Sequence, residues 1–216
     1  MFNIPEFTLV RSKRRTLALY IQPDGKLLVK APLNLSKHNI EQFVEQQSEL
    51  IAKRRMLLAK RALQREENQY LFLGQILTLT CGNYKHISVA ENRLLFPISL
   101  LFRKEKELTA WYVQQAKQII TEQAKKYAEE MQTNFRSITF SDTKSQWGRC
   151  SKDNRLQFNW RLVMAPILVI NYVVIHELAH TIVKDHSQIF WMKVRKLQPS
   201  YRQQIKWLKE NGDTLF

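Results

Sequence analysis

With 216 residues and 44% apolar side chains, the chain is long enough to bury one large core or two small ones and has no low-complexity stretch. Lys and Arg number 34 against 19 Asp and Glu, and the resulting +15 is shared by both halves rather than gathered in a tail. Such a surface favours an anionic substrate or partner, whether nucleotide, nucleic acid or acidic protein, with a generally basic, solvated surface as the plainer reading. Two cysteines, Cys81 and Cys150, exclude a disulfide framework and suit a reducing cytoplasm. The start, Met1-Phe2-Asn3-Ile4-Pro5-Glu6, lacks the basic and apolar regions of a signal peptide. Leu162 to Ile175 is the most apolar run, but it contains Pro166 and Asn171 and falls short of the roughly 20 residues a membrane span needs. A cytoplasmic protein with no membrane segment is expected.

In chain order, residues 7–31 read as two or three strands. Pro23-Asp24-Gly25-Lys26 supplies the turn of a hairpin whose return strand is Leu27 to Ala31. The cluster Arg11-Ser12-Lys13-Arg14-Arg15 reads as a solvated loop or a phosphate contact. Ser36 is a helix N-cap, and from it one long amphipathic helix is expected to reach about Glu67. Ile40, Phe43, Val44, Leu50, Ile51, Leu57 and Leu58 form its apolar face, and Lys53, Arg54, Arg55, Lys60, Arg61 and Arg65 its outer one. A second β section covers Tyr70 to about Phe96, broken at Gly74, Gly82-Asn83 and Glu91-Asn92.

Residues 104–131 return to helix, with apolar residues from Leu108 to Met131 at 3–4 spacing. Arg136 to Phe140 and Arg155 to Trp160 read as strands flanking a polar loop and Trp147-Gly148-Arg149-Cys150. Pro166 opens a helix to about Val183, because a missing N–H costs nothing in a first turn. A further helix starts near Ser187, and the last covers Tyr201 to Lys209 and stops at Asn211-Gly212. The pattern is α+β: residues 1–100 are a β-strand and long-basic-helix region and 101–216 the catalytic core, with one continuous domain as the alternative.

That core holds the strongest motif. His176-Glu177-Leu178-Ala179-His180 puts two imidazoles one turn apart on one helix face, within reach of one metal ion. A catalytic zinc site takes three protein ligands and keeps one open position, and His186 is the natural third if the chain turns back after Val183. Glu177 is then the catalytic acid/base toward the metal-bound water. One Zn2+ is the expected cofactor, although imidazole also suits other divalent ions. His38 and His86 stand alone. Arg149, Arg161 and Tyr172 flank the ligand helix in sequence and are candidates for contacting substrate, with surface charge or core packing as the plainer role of each. Trp147 is a candidate cleft wall, and Asp185 a candidate to orient a ligand histidine through its second nitrogen. Cys150 reads as a small core residue rather than a ligand or nucleophile.

Trp147-Gly148-Arg149-Cys150, Leu156-Gln157-Phe158-Asn159-Trp160-Arg161-Leu162, Tyr172 to His180, His186-Ser187 and Phe190-Trp191, with the basic cluster at 11–15, Pro23-Asp24-Gly25, Ala31-Pro32 and Ala165-Pro166, resemble the YgjP-like metal-dependent hydrolases, which are zincin-type metallopeptidases. The resemblance runs over nearly the whole chain. It implies a zincin-like core of helices and mixed sheet, with the His-Glu-x-x-His motif on a buried helix. It also implies zinc on His176, His180 and His186 and Glu177 as acid/base. Arg149 stands where the family has a serine. The spacing to His186 also matches metzincins, but Val183 replaces their turn glycine and no Met-turn follows, so the chain is not assigned to them.

Three functions compete. One is a cytoplasmic zinc peptidase, in which metal-bound water activated by Glu177 attacks a peptide bond. A second is a metal-dependent nucleotide pyrophosphatase that splits a nucleoside triphosphate such as UTP into monophosphate and pyrophosphate. The third is a nucleic-acid-associated protein with a structural metal. No Gly-rich phosphate loop of the Walker type is present, so the second would bind phosphates through Lys and Arg alone.

Overall fold

The structure, a computed structural model, describes residues 4–22, 25–64 and 68–216, the stretch 57–64 by its backbone only. It is α+β, and the chain forms two compact units, Met1–Glu67 and Asn68–Phe216. The second β section therefore groups with the helices that follow it, not with the N-terminal strands.

In the first unit, β1 (Phe7–Ser12) and β2 (Ala18–Ile21) flank β3 (Leu27–Pro32), parallel to β1 and antiparallel to β2. Alternation puts Leu27, Val29 and Ala31 on one face of β3, where they form a core with Ile40, Val44 and Ile51. The expected single helix is two, α1 (Lys37–Gln46) and α2 (Ser48–Gln64). Ser36 caps α1 by accepting the Asn39 N–H at 3.2 Å. The break falls at Gln47, whose N–H returns to the carbonyls of Phe43 and Val44 while its own carbonyl accepts from Ile51. Ile51 stays on the buried face with Ile40 and Val44 across this break, whereas Leu50, expected on the apolar face, is 57% exposed. Arg11 and Ser12 belong to β1 rather than to a loop, and the Arg11 guanidinium donates to the carbonyls of Pro32, Leu33 and Leu35. Pro23 and Asp24 of the hairpin turn, and the side chains of Leu57, Leu58, Lys60, Arg61 and Arg65, lie outside the described residues.

The second unit contains two sheets. β4 (Gln69–Phe72), β5 (Gln75–Gly82), β6 (Ser88–Ala90) and β7 (Arg93–Pro97) assemble in the order β4-β5-β7-β6. β8 (Ser137–Ser141), β9 (Gly148–Cys150) and β10 (Arg155–Asn159) form the other, with β10 central, parallel to β8 and antiparallel to β9. Gly74 has φ +80 in the β4–β5 turn, and a Cβ there would come 2.8 Å from the Pro166 ring, so both backbone freedom and close approach require glycine.

The long helix α3 (Lys104–Glu130) buries Leu108, Trp111, Tyr112, Ala116, Ile120, Ala124 and Ala128 along one stripe. Ahead of α4 (Ile167–Ile182) the chain makes a 3-10 turn at Trp160–Met164, and Leu162, Val163, Val169, Ile170 and residues 172–175 are all buried. Apart from Ile167 and Leu168, which are exposed in the first turn of α4, the apolar run of the sequence packs into the core. Among the described residues, no helix is long and apolar enough to cross a membrane. α5 (Gln188–Leu197) and α6 (Tyr201–Asn211) close the unit. Gly212 does not end α6 through a left-handed turn. Its φ is −56, the chain continues into a 3-10 turn, and the missing Cβ leaves room for the Trp147 ring, 3.2 Å from where that atom would sit.

Candidate active site

α4 carries His176, Glu177 and His180, and the chain beyond it brings in His186. Val183 ends the helix with φ −128 and ψ 113, an extended conformation, so the return toward His186 needs no positive φ and no glycine. The three imidazoles offer ring nitrogens that all lie within 4.8 Å of one another, and His176 and His186 approach to 3.2 Å between their Nε2 atoms.

The outer nitrogens of two rings are occupied. His180 Nδ1 lies 3.1 Å from the Val183 carbonyl, which fixes the hydrogen on Nδ1 and leaves Nε2 as the free donor of an electron pair. His176 Nδ1 faces the Tyr172 hydroxyl at 3.4 Å, one turn back on the same helix. Burial, reinforced by the neighbouring His180 and His186, pushes His176 down to about 3, and burial lowers His180 as well. Neutral imidazoles with inward-facing lone pairs are what a divalent cation requires, so these residues fit a metal.

Rings hold the three imidazoles in place. Phe190 is fully buried with its centroid 4.9, 4.5 and 4.8 Å from those of His176, His180 and His186. Trp191 stacks on His186 at 5.8 Å, Tyr201 on Trp191 at 5.2 Å, and Tyr172 on Tyr201 at 6.5 Å, a column that returns to His176. Because the ring set is closed, removing one ligand leaves the other two in position. His186→Ala is expected to weaken zinc binding by at least about a hundredfold while the fold persists. Competition with a chromogenic chelator measures it, and unchanged affinity would remove His186 from the ligand set.

Glu177 is only 6% exposed and lies against β9. A Cβ on Gly148 would fall 2.6 Å from Glu177 Cγ and 2.7 Å from Oε1, so the strand can approach the carboxylate this closely only at a glycine. Burial raises Glu177 to about 7, opposed by a hydrogen bond from the Cys150 backbone N–H. The folded protein therefore holds this proton up to about pH 7, whereas the unfolded chain releases it near 4.5. In the metal-free protein that favourable contribution is full below pH 4.5 and is lost as pH rises through 7. Glu177→Gln is expected to remove the loss, so the stability advantage of the variant grows from nothing near pH 4 to at most roughly 3 kcal/mol at pH 8. Denaturant titrations of both proteins at the two pH values check this, and parallel pH profiles would contradict it.

β9 is an edge strand. Trp147 O accepts from Asn159 N and Ser151 N donates to Arg155 O, so Gly148 and Cys150 turn their backbone groups to the outer edge. Lys184, just past α4, donates to Asn154 Oδ1 at 2.6 Å and to Ser151 O at 3.3 Å, tying the ligand loop to the β9–β10 turn. Cys150 sits outside the imidazole cluster, its thiol raised by burial, with Lys184 Nζ 4.0 Å away.

The remaining residues singled out in sequence have other surroundings. Arg149 is exposed and, by alternation, leaves the sheet on the face opposite Glu177. Arg161 is ion-paired with Asp142 and lies over the Trp160 and Phe216 rings, which occupies the guanidinium structurally. Trp147 stacks on Phe216 at 5.1 Å above Gly212 and so fastens the C-terminal residues. Tyr172 faces the His176 Nδ1, and burial pushes its hydroxyl up to about 12. Asp185 accepts the Ser187 N–H at 3.1 Å, which lowers its pKa and closes a local turn ahead of α5 instead of orienting a histidine. Gly148, Phe190 and Lys184 were not distinguishable as site residues by spacing, although Gly148 and Phe190 stand within the motifs quoted above.

No curated protein matches the chain. The metallopeptidase zymogen of Pyrococcus abyssi abylysin, known from a crystal structure, is 18% identical with a TM-score of 0.39, over 42% of this chain and 93% of that one. The model of the YgjP-like family, metallopeptidase domain, matches residues 15–211, which contain every residue of the imidazole cluster and Glu177. The chain belongs to the YgjP-like metallopeptidase family and is by that membership a metal-dependent hydrolase.

Proposed function

We propose that the protein is a zinc peptidase with a zincin-like core in its second unit, in which His176, His180 and His186 hold the ion and Glu177 is the catalytic acid/base. The observation that carries this reading is the approach of three imidazoles to within 4.8 Å on and beside the helix that buries Glu177. A divalent cation held there supplies a Lewis acid that polarises a carbonyl and acidifies water. Glu177 takes the proton of the attacking water and returns it to the departing amide nitrogen. Burial raises the carboxylate's affinity for a proton in the metal-free protein, and the Cys150 N–H holds it in place. The Val183 carbonyl keeps His180 in the ligating tautomer, and the Tyr172 hydroxyl faces the outer nitrogen of His176.

The edge of β9 supports peptide as the substrate class. The Cys150 N–H is taken by Glu177, but the outward groups of Gly148 and the Cys150 carbonyl lie beside it, and an extended peptide can pair with such an edge. The test is a comparison of zinc-loaded wild type and Glu177→Gln on unfolded proteins and on nucleoside triphosphates. Peptide cleavage by the wild type alone supports the reading. Pyrophosphate release without peptide cleavage would replace it with nucleotide hydrolysis.

A further inference from the structure

A groove of about 460 Å³ lies between α5 and α6, lined by Gln188, Trp191, Met192, Arg195, Tyr201 and Arg202 among others. It begins one ring from the imidazole cluster, because Trp191 stacks on His186 with its plane tilted by 30°. Trp191 and Tyr201, stacked at 5.2 Å with 21° between their planes, and Met192, 63% exposed, give it an apolar wall. Arg195 from the last turn of α5 and Arg202 from the first turn of α6 give it two guanidiniums, both exposed. Among the described residues neither forms an ion pair with a carboxylate. From His186 to Lys209 the sequence has Lys193, Arg195, Lys196, Arg202, Lys206 and Lys209 and not one Asp or Glu. The groove is thus a cationic pocket with a hydrocarbon wall, opening beside the site of hydrolysis.

We propose that this groove is a substrate subsite for a carboxylate of a peptide, which selects acidic segments next to the scissile bond. The inference rests on the peptidase reading for its position in the substrate, but the binding it describes does not need the reaction. The methylene stem of an acidic residue packs on Trp191 and Met192 while the carboxylate meets the planar donors of Arg195 and Arg202. Polyphosphate is the poorer match. A triphosphate requires a cradle of backbone N–H groups or several converging cations, whereas here two guanidiniums flank an apolar wall. An Asp or Glu side chain and a peptide C-terminus both supply such a carboxylate, and the two sources are separable.

The test is equilibrium binding to the full-length, metal-free protein at about 0.15 M salt, where exposed long-range attraction is largely screened. Three matched extended peptides are used: one with two Glu and an amidated end, one with Gln at those positions and an amidated end, and the Gln peptide with a free C-terminus. At least one carboxylate-bearing peptide is expected to bind about tenfold or more tighter than the amidated Gln peptide, and which one does so names the source. Arg195→Gln/Arg202→Gln should reduce the preference below about threefold, with an unchanged circular dichroism spectrum. Lys117→Gln/Lys125→Gln on α3, an equal charge change elsewhere, should leave it intact. Equal binding of all three peptides, a preference that survives the arginine substitutions, or one lost equally in the α3 variant would overturn the assignment. So would displacement of the peptide by a nucleoside triphosphate at lower concentration than by the acidic peptide itself. Absence of peptide cleavage by the zinc-loaded enzyme would sink the peptidase reading while leaving this result to stand or fall by its own affinities.

Discussion

Glu177→Gln is expected to keep its zinc and lose hydrolysis by about 10²- to 10⁴-fold, the range that general acid–base groups contribute. The substitution preserves the shape of a side chain held between α4 and β9, and the amide oxygen still accepts the Cys150 N–H. It removes only the capacity to take and return a proton. None of the imidazole contacts involves this side chain, since His176 is set by Tyr172 and Phe190 and His180 by the Val183 carbonyl. The loss should therefore appear in kcat with KM little changed, and metal stoichiometry should remain at one. A rate within threefold of wild type would assign proton transfer to another group. Loss of metal would show that Glu177 supports the ligands instead of acting on substrate.

Gly148→Ala is expected to cost the fold about 1–3 kcal/mol and to lower activity by at least about tenfold, with zinc affinity within a few-fold of wild type. The new methyl would stand 2.6 Å from Glu177 Cγ, 2.7 Å from Oε1 and 2.9 Å from Cδ, so either β9 retreats or the carboxylate rotates away from the strand. Both responses break the register between the proposed base and the edge against which a peptide would lie. Because the contact is pairwise, Glu177→Ala should relieve it. The double variant is expected to regain most of the stability that Gly148→Ala loses and none of the activity. Additive stability changes in that cycle would mean the methyl is accommodated without meeting Glu177.

The ligand helix was legible because His176, Glu177 and His180 carry their chemistry in their spacing, and a period of 3.6 residues turns spacing into geometry without further information. Most strand and helix locations from 69 onward follow from alternation, from Gly74 and from Pro166, each a local backbone constraint, but the three-residue β9 is too short to show a period and was not legible as a strand. The break at Gln47 was not legible: no Gly or Pro marks it, and only the doubled-back N–H reveals it. The roles of Trp147, Arg161 and Gly212 were hidden for a related reason. Each is decided by a partner far away in the chain, Phe216 for Trp147, Asp142 and Phe216 for Arg161, Trp147 for Gly212, and no periodicity reports such a pairing. The same holds for Phe190, whose place at the centre of three imidazoles arises only once α5 folds back on α4. Asp185 illustrates the opposite case, where a local rule was available: an Asp side chain readily accepts the backbone N–H two residues on, and that is what it does.

The central claim is that three imidazoles hold one divalent cation and leave a position open to solvent. X-ray absorption of the zinc-loaded protein tests it most directly. The expected spectrum has three imidazole nitrogens and one further light ligand at about 2.0–2.1 Å, the imidazole contribution falling to two in His186→Ala. A sulfur ligand at about 2.3 Å, which would bring Cys150 into the shell, or a fourth imidazole closing the site, would contradict it.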